Sequence, residues 1–109
     1  METIEPADVE KMRASGRKLF LVDVRNPDEY QEIRAKDAVL YPLPEFDADA
    51  VGEAFKAGDF DEEKIYVICR SGARSANAVG QLESVGVKAV NVTGGTLAWN
   101  AAGLPVENG

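Results

Sequence analysis

Histidine is absent from the 109 residues, and this excludes more chemistry than any other compositional feature. Without an imidazole, Ser-His and Cys-His hydrolases are ruled out. Cysteine occurs once. No internal disulfide can form, which fits a reducing cytoplasm, and one thiol without histidine leaves no ordinary zinc site. No apolar run approaches the length of a membrane span, and Met1-Glu2-Thr3-Ile4-Glu5 does not read as a secretory signal. A cytoplasmic protein with no membrane partner is expected. Positive charge is short: 12 Lys and Arg face 19 Asp and Glu, for a net charge of −7. That balance argues against nucleic acid as a partner. Internal repeats, low-complexity tracts and linkers are also missing. Residues 1–109 therefore read as one domain, able to bury roughly two-thirds of the unfolded chain's surface. Residues 106–109 are expected to form a flexible tail.

What is present alternates between short apolar runs and helical patterns. Glu5 to Met12 reads as a short helix with Pro6 in its first turn and Gly16 beyond its end. Leu19 to Val24 is an apolar strand with Asp23 and Arg25 at its close. Asn26-Pro27-Asp28-Glu29-Tyr30 opens a helix with an Asn cap, Pro at the first position and acids in the first turn. Ala38 to Tyr41 is a second strand, ended by Pro42 and Pro44. Asp47 to Ala57 is an amphipathic helix, stopped by Gly58. Ala89 to Val92 is a late strand, and Gly94-Gly95 is a turn into a last helix through Trp99, itself a packing residue. This alternation predicts an α/β fold, a mostly parallel sheet with helices on both faces. Ligands bind such sheets at the carboxyl ends of strands.

The chain is organised around Lys64-Ile65-Tyr66-Val67-Ile68-Cys69-Arg70-Ser71-Gly72-Ala73-Arg74-Ser75. An apolar strand ends at the only cysteine, a small basic loop follows, and a helix is predicted from Ser75 to Val85. Strand, tight loop and helix start aim successive backbone N–H groups into one concavity that favours an anion. A thiol there ionises readily, so Cys69 is the candidate nucleophile. Arg70 and Arg74 place two cations beside it in an acidic chain. Asp23 and Arg25, at another carboxyl end, are expected to pair and support the loop.

Taken together, Leu21-Val22-Asp23-Val24-Arg25 with Glu29-Tyr30, the loop Cys69 to Ser75, and Gly94-Gly95 with Trp99 and Gly103-Leu104-Pro105-Val106 resemble a single-domain rhodanese, a sulfurtransferase module. The resemblance implies a rhodanese-like sheet of about five parallel strands. It implies that Cys69 carries a sulfane sulfur as a persulfide, cradled by the amides of Arg70, Ser71, Gly72, Ala73 and Arg74, with Ser75 closing the loop. Arg70 and Arg74 would attract a small anionic donor such as thiosulfate. The acceptor would be cyanide, a dithiol or a protein thiol; no cofactor or metal is implied, and a monomer is expected. One segment departs: where the family shows Gly-His-Ile-Pro-Gly-Ala, this chain has Ile33-Arg34-Ala35-Lys36-Asp37-Ala38. That change gives some weight to a non-catalytic binding or sulfur-sensing module. A cysteine phosphatase is disfavoured by loop length: four residues separate Cys69 from Arg74, where a phosphatase loop has one more.

Overall fold

The computed structural model describes all residues from Met1 to Gly109. Its strands and helices run β1 (Glu2–Ile4), α1 (Pro6–Ala14), β2 (Phe20–Asp23), α2 (Pro27–Glu32), β3 (Arg34–Ala35), β4 (Val39–Leu40), α3 (Ala48–Ala57), β5 (Ile65–Ile68), α4 (Ala73–Ser84), β6 (Ala89–Val92), α5 (Gly95–Ala101) and β7 (Val106–Glu107). Five strands form one sheet in the order β1-β6-β5-β2-β4. Every neighbouring pair in it is parallel.

The central strands are apolar except for Asp23 in β2 and Asn91 in β6, because both their faces are covered. Side chains alternate across the sheet. Phe20, Val22 and Val24 of the β2 segment and Ile65, Val67 and Cys69 of the β5 segment face one way, onto Val51 of α3 and Ala78, Val79 and Leu82 of α4. Leu21, Tyr66, Ile68, Val90 and Val92 face the other way, onto Val9 of α1 and Trp99 of α5. Cys69 thus continues the phase of Ile65 and Val67, and its side chain points to the α4 side. Asn91 is in phase with Ala89 and shares that side. Trp99 is fully buried and its indole N–H donates to the Pro105 carbonyl at 2.7 Å.

The structure corrects the sequence reading in several places. β1 was not anticipated; its Glu2-Thr3-Ile4 carries no apolar pattern, yet it pairs with β6 in the register Glu2↔Val90 to Ile4↔Val92. Helix α4 starts at Ala73 rather than Ser75, because Gly72, at φ 122, makes the turn that launches it. Residues 106–109 are not loose. Val106 and Glu107 pair antiparallel with Ala35 and Arg34, and the Gly109 amide donates to the Gln31 carbonyl at 2.9 Å. The atypical segment supplies this pairing, since Arg34 and Ala35 are extended and the Lys36 amide donates to Pro105 at 3.0 Å. Asp37 then turns the chain with φ 68, standing where the resemblance places a glycine.

Candidate active site

Cys69 lies just past β5, with 1% of its surface exposed, at the carboxyl end of the central strand. Its carbonyl and its sulfur are held by different elements. The carbonyl oxygen accepts the Thr96 amide at 2.8 Å and the Thr96 hydroxyl at 3.0 Å, and the next carbonyl, Arg70, accepts the Leu97 amide at 3.1 Å. The first turn of α5 therefore braces the loop from behind. Gly95, at φ 58, permits this: a Cβ there would stand 2.5 Å from the Cys69 oxygen and 2.6 Å from the Arg70 carbonyl carbon. The glycine pair is thus more than a turn, as it lets a helix start press against the cysteine loop.

On the other side, the Gly72 amide donates to Cys69 Sγ at 3.0 Å, and the Ser75 hydroxyl lies 3.2 Å from the same sulfur. Ser75 also contacts the Gly72 carbonyl at 3.1 Å and donates to Asn91 Oδ1, while Asn91 Nδ2 donates to the Gly72 carbonyl at 3.1 Å. A hydroxyl has one proton to give. When the sulfur is a thiol, its S–H can donate to Ser75, which donates onward to Asn91. When it is a thiolate, the Ser75 proton can turn to the sulfur instead. Burial pushes the Cys69 thiol up. The Ser75 hydroxyl and the Ser75, Gly72 and Ser71 amides outweigh burial, leaving the thiol below its ordinary value.

The sequence-derived candidates do not all gather at the sulfur. Gly72 and Ser75 touch the sulfur, whereas Arg70, Ser71 and Ala73 are exposed residues of the rim, Ser71 favouring the thiolate only through its amide. Arg74 is turned aside: its Nη1 and Nη2 donate to the two Glu29 oxygens at 2.7 and 2.9 Å. Asp23 and Arg25 form the expected pair, both buried, with Arg25 Nε at 3.0 Å and Nη2 at 2.8 Å from Asp23 oxygens. Arg25 Nη2 also donates to the Ile33 carbonyl at 2.7 Å, tying β2 to the chain after α2. With both its oxygens engaged, Asp23 is not poised as a general acid.

Three participants were missed. Glu29 belongs to the residues of the resemblance but reads in sequence as a first-turn acid with no site role, Thr96 as an ordinary helix residue, and Asn91 as one polar residue within β6. For Asn91, that interruption of an otherwise apolar strand was the available signal; for Glu29, its place in the motif with Asp23 and Arg25. Beside the loop, a cleft of about 220 Å³ is lined by Arg25, Glu29, Ile33, Arg70 and Leu97, among others. An apolar groove of about 280 Å³ beside Val9, Leu21 and Phe60 involves no residue of the cysteine loop.

Fold and site together define a parallel α/β domain with a thiol held in a nest of amides at a strand's carboxyl end. The rhodanese-like domain profile matches residues 5–102, and the chain belongs to that family. It is 32% identical to the putative sulfurtransferase YtwF of Bacillus subtilis, covering 96% of each chain. It is 33% identical to the thiosulfate sulfurtransferase GlpE of Vibrio cholerae, covering 84% of this chain and 81% of that one. A 37% identical, uncharacterised Synechocystis protein is longer, and the matched region spans 54% of it. Among solved structures, a rhodanese-related protein of Thermoplasma volcanium superposes with a TM-score of 0.75 at 30% identity, covering 98% of both chains. No helix is long and apolar enough to cross a membrane.

Proposed function

We propose that the chain transfers a sulfane sulfur from thiosulfate or a similar donor to a thiophilic acceptor through a persulfide on Cys69. The observation that carries this reading is the Gly72 amide at 3.0 Å from a buried Sγ, with the Ser75 hydroxyl beside it. Such donors favour an anion on that sulfur, whether the thiolate or the persulfide that replaces it. In the first half-reaction the thiolate attacks the outer sulfur of thiosulfate. A Cys69–sulfur bond forms, the donor's S–S bond breaks, and sulfite leaves with the electron pair. In the second, cyanide, a dithiol or a protein thiol attacks the outer persulfide sulfur and Cys69 departs as thiolate. No histidine base is required, because the loop donors favour the ionised nucleophile and sulfite is a stable leaving anion. The GlpE relative, named for thiosulfate, supports the donor class. A small sulfur donor and a thiol acceptor are the partners proposed, with the chain acting as a monomer.

Incubation with thiosulfate followed by mass spectrometry tests the reading. A gain of one sulfur on Cys69, absent in Cys69→Ser, is expected, together with thiocyanate formation from cyanide. If the wild-type chain takes up no sulfur, the non-catalytic reading replaces this one. Efficient cleavage of p-nitrophenyl phosphate without sulfur uptake would point to a phosphatase instead.

A further inference from the structure

The rim of the cysteine loop carries an ion pair that bears directly on which donors can enter. Glu29, in the first turn of α2, receives both terminal nitrogens of Arg74 from the first turn of α4, and its Oε1 also accepts the Asn26 amide at 3.0 Å. The side chains are 32% exposed for Arg74 and 23% for Glu29, so the pair is part of the rim rather than the core. A guanidinium binds a carboxylate and a sulfonate through the same two-pronged geometry. Oxygens of a small oxyanion would therefore have to displace Glu29 to use Arg74. Arg25, one of the two guanidinium groups lining the cleft beside this pair, is committed to Asp23 and the Ile33 carbonyl. Arg70 is the one cation lining the cleft whose side chain makes no hydrogen bond or ion pair, and Glu29 and Glu32 line the same cleft.

We propose that Glu29 is a specificity-determining residue: by holding Arg74, it withholds a guanidinium from small oxyanion donors and biases Cys69 towards sulfane donors that carry no oxyanion oxygens. The inference rests on the reading of Cys69 as a sulfur carrier. The chemistry is balanced for either donor. The Cys69 thiolate attacks the outer sulfur, one S–S bond forms and one breaks, and the electron pair leaves on sulfite in one case and on an alkyl thiolate in the other. Only the first donor brings oxyanion oxygens that need a guanidinium. Arg74 holds Glu29 down at about 2, against the opposing effect of partial burial, so the carboxylate stays charged throughout the working pH range and the competition is constant.

The test is steady-state kinetics with cyanide as acceptor and two donors, thiosulfate and the persulfide of 2-mercaptoethanol. Four chains are compared: wild type, Glu29→Gln, Arg74→Ala and the double variant. Glu29→Gln is expected to lower the thiosulfate KM by about two- to five-fold, the range set by a partly exposed ion pair. Its kcat, and both parameters for the persulfide, should stay within about two-fold. Arg74→Ala should barely change the thiosulfate KM in the wild-type background and should abolish the gain in the Glu29→Gln background. An unchanged or raised thiosulfate KM in Glu29→Gln overturns the proposal, as does a gain that survives loss of Arg74 or one that appears equally for both donors. If Glu29→Gln does not fold, Glu29→Asp, which keeps the charge but shortens its reach, must shift the thiosulfate KM in the same direction. A wild-type chain that takes up no sulfur from either donor sinks the sulfur-carrier reading and this proposal with it. Uptake by the wild type without the selective KM shift sinks this proposal alone.

Discussion

At the scale of single residues, the chemistry of Cys69 depends on a neighbour that was placed in the loop by sequence but not given its partners. Ser75 is fully buried between the sulfur and Asn91. Ser75→Ala removes a donor to the thiolate, so the thiol titrates higher and alkylation by iodoacetamide at neutral pH slows. It also leaves Asn91 Oδ1 without its hydroxyl partner, a loss of about 1–2 kcal/mol of stability by denaturant unfolding. Unchanged alkylation would mean that the backbone amides alone set the thiolate. Glu29 gives a pH prediction. Its folded value, about 2, lies below the ordinary carboxylate range, so its contribution to stability is complete above that range and is lost as pH falls towards 2. Acid unfolding followed by circular dichroism should therefore be less steep between about pH 4.5 and 2 in Glu29→Gln than in the wild type.

Asp37 is the residue at which the atypical segment is most exposed to test. Its φ of 68 lies in the left-handed region, which Asp and Gly tolerate and β-branched residues do not. Asp37→Val should cost about 1–2 kcal/mol. Asp37→Gly should fall within about 1 kcal/mol of the wild type, relief of strain being offset by the freer unfolded chain. Thermal unfolding of the two variants makes the comparison. Equal effects would show that the turn is not conformationally demanding.

At the scale of elements, what the sequence disclosed follows from the physics of each segment. β2, β5 and β6 are buried on both faces and read as apolar runs; the main helices carry their caps and stops in plain view. The cysteine loop was legible because a lone thiol ends an apolar strand and is followed by Gly72 and two arginines. Elements of two or three residues were not legible, since β1, β3 and β7 are too short to show periodicity and exist only through pairing with distant partners. The brace from α5 was hidden for a related reason. Gly95 shows that glycine is needed but not what it approaches, and only the fold brings its Cα against the Cys69 and Arg70 carbonyls. Gly95→Ala must move one of these backbones and also strains a positive φ, so a loss of about 2–4 kcal/mol is expected. Sulfur uptake should fall further than the loss of folded protein explains, because the displaced segment carries the sulfur. A variant folded at wild-type stability with full uptake would show that the α5 start does not constrain the loop.

At the scale of the whole molecule, the chain closes on itself where the sequence suggested a loose end. β6 is the last strand in chain order to join the five-stranded sheet, and α5 returns the chain across one face. Val106 and Glu107 then pair with β3, directly after the α2 helix that carries Glu29. Arg34 lies 3.9 Å from Glu107 and donates to Tyr30 at 3.2 Å, and its guanidinium stacks 4.6 Å over the Tyr30 ring. Ala35 is fully buried against the α1–α5 side of the core. Residues 106–109 therefore fasten the α2–β3 region, which a tail without contacts could not do. Removing them should cost about 1–2 kcal/mol through lost backbone pairing, lowering the Tm by roughly 4–15 °C. The cysteine loop touches none of residues 106–109: its partners outside the loop are Asn91, Thr96, Leu97 and, through Arg74, Glu29 of α2. Alkylation of Cys69 well below the new Tm should accordingly match the full chain. An unchanged Tm would restore the loose tail, whereas slowed or accelerated alkylation would show that the small antiparallel pair reaches the thiol through α2.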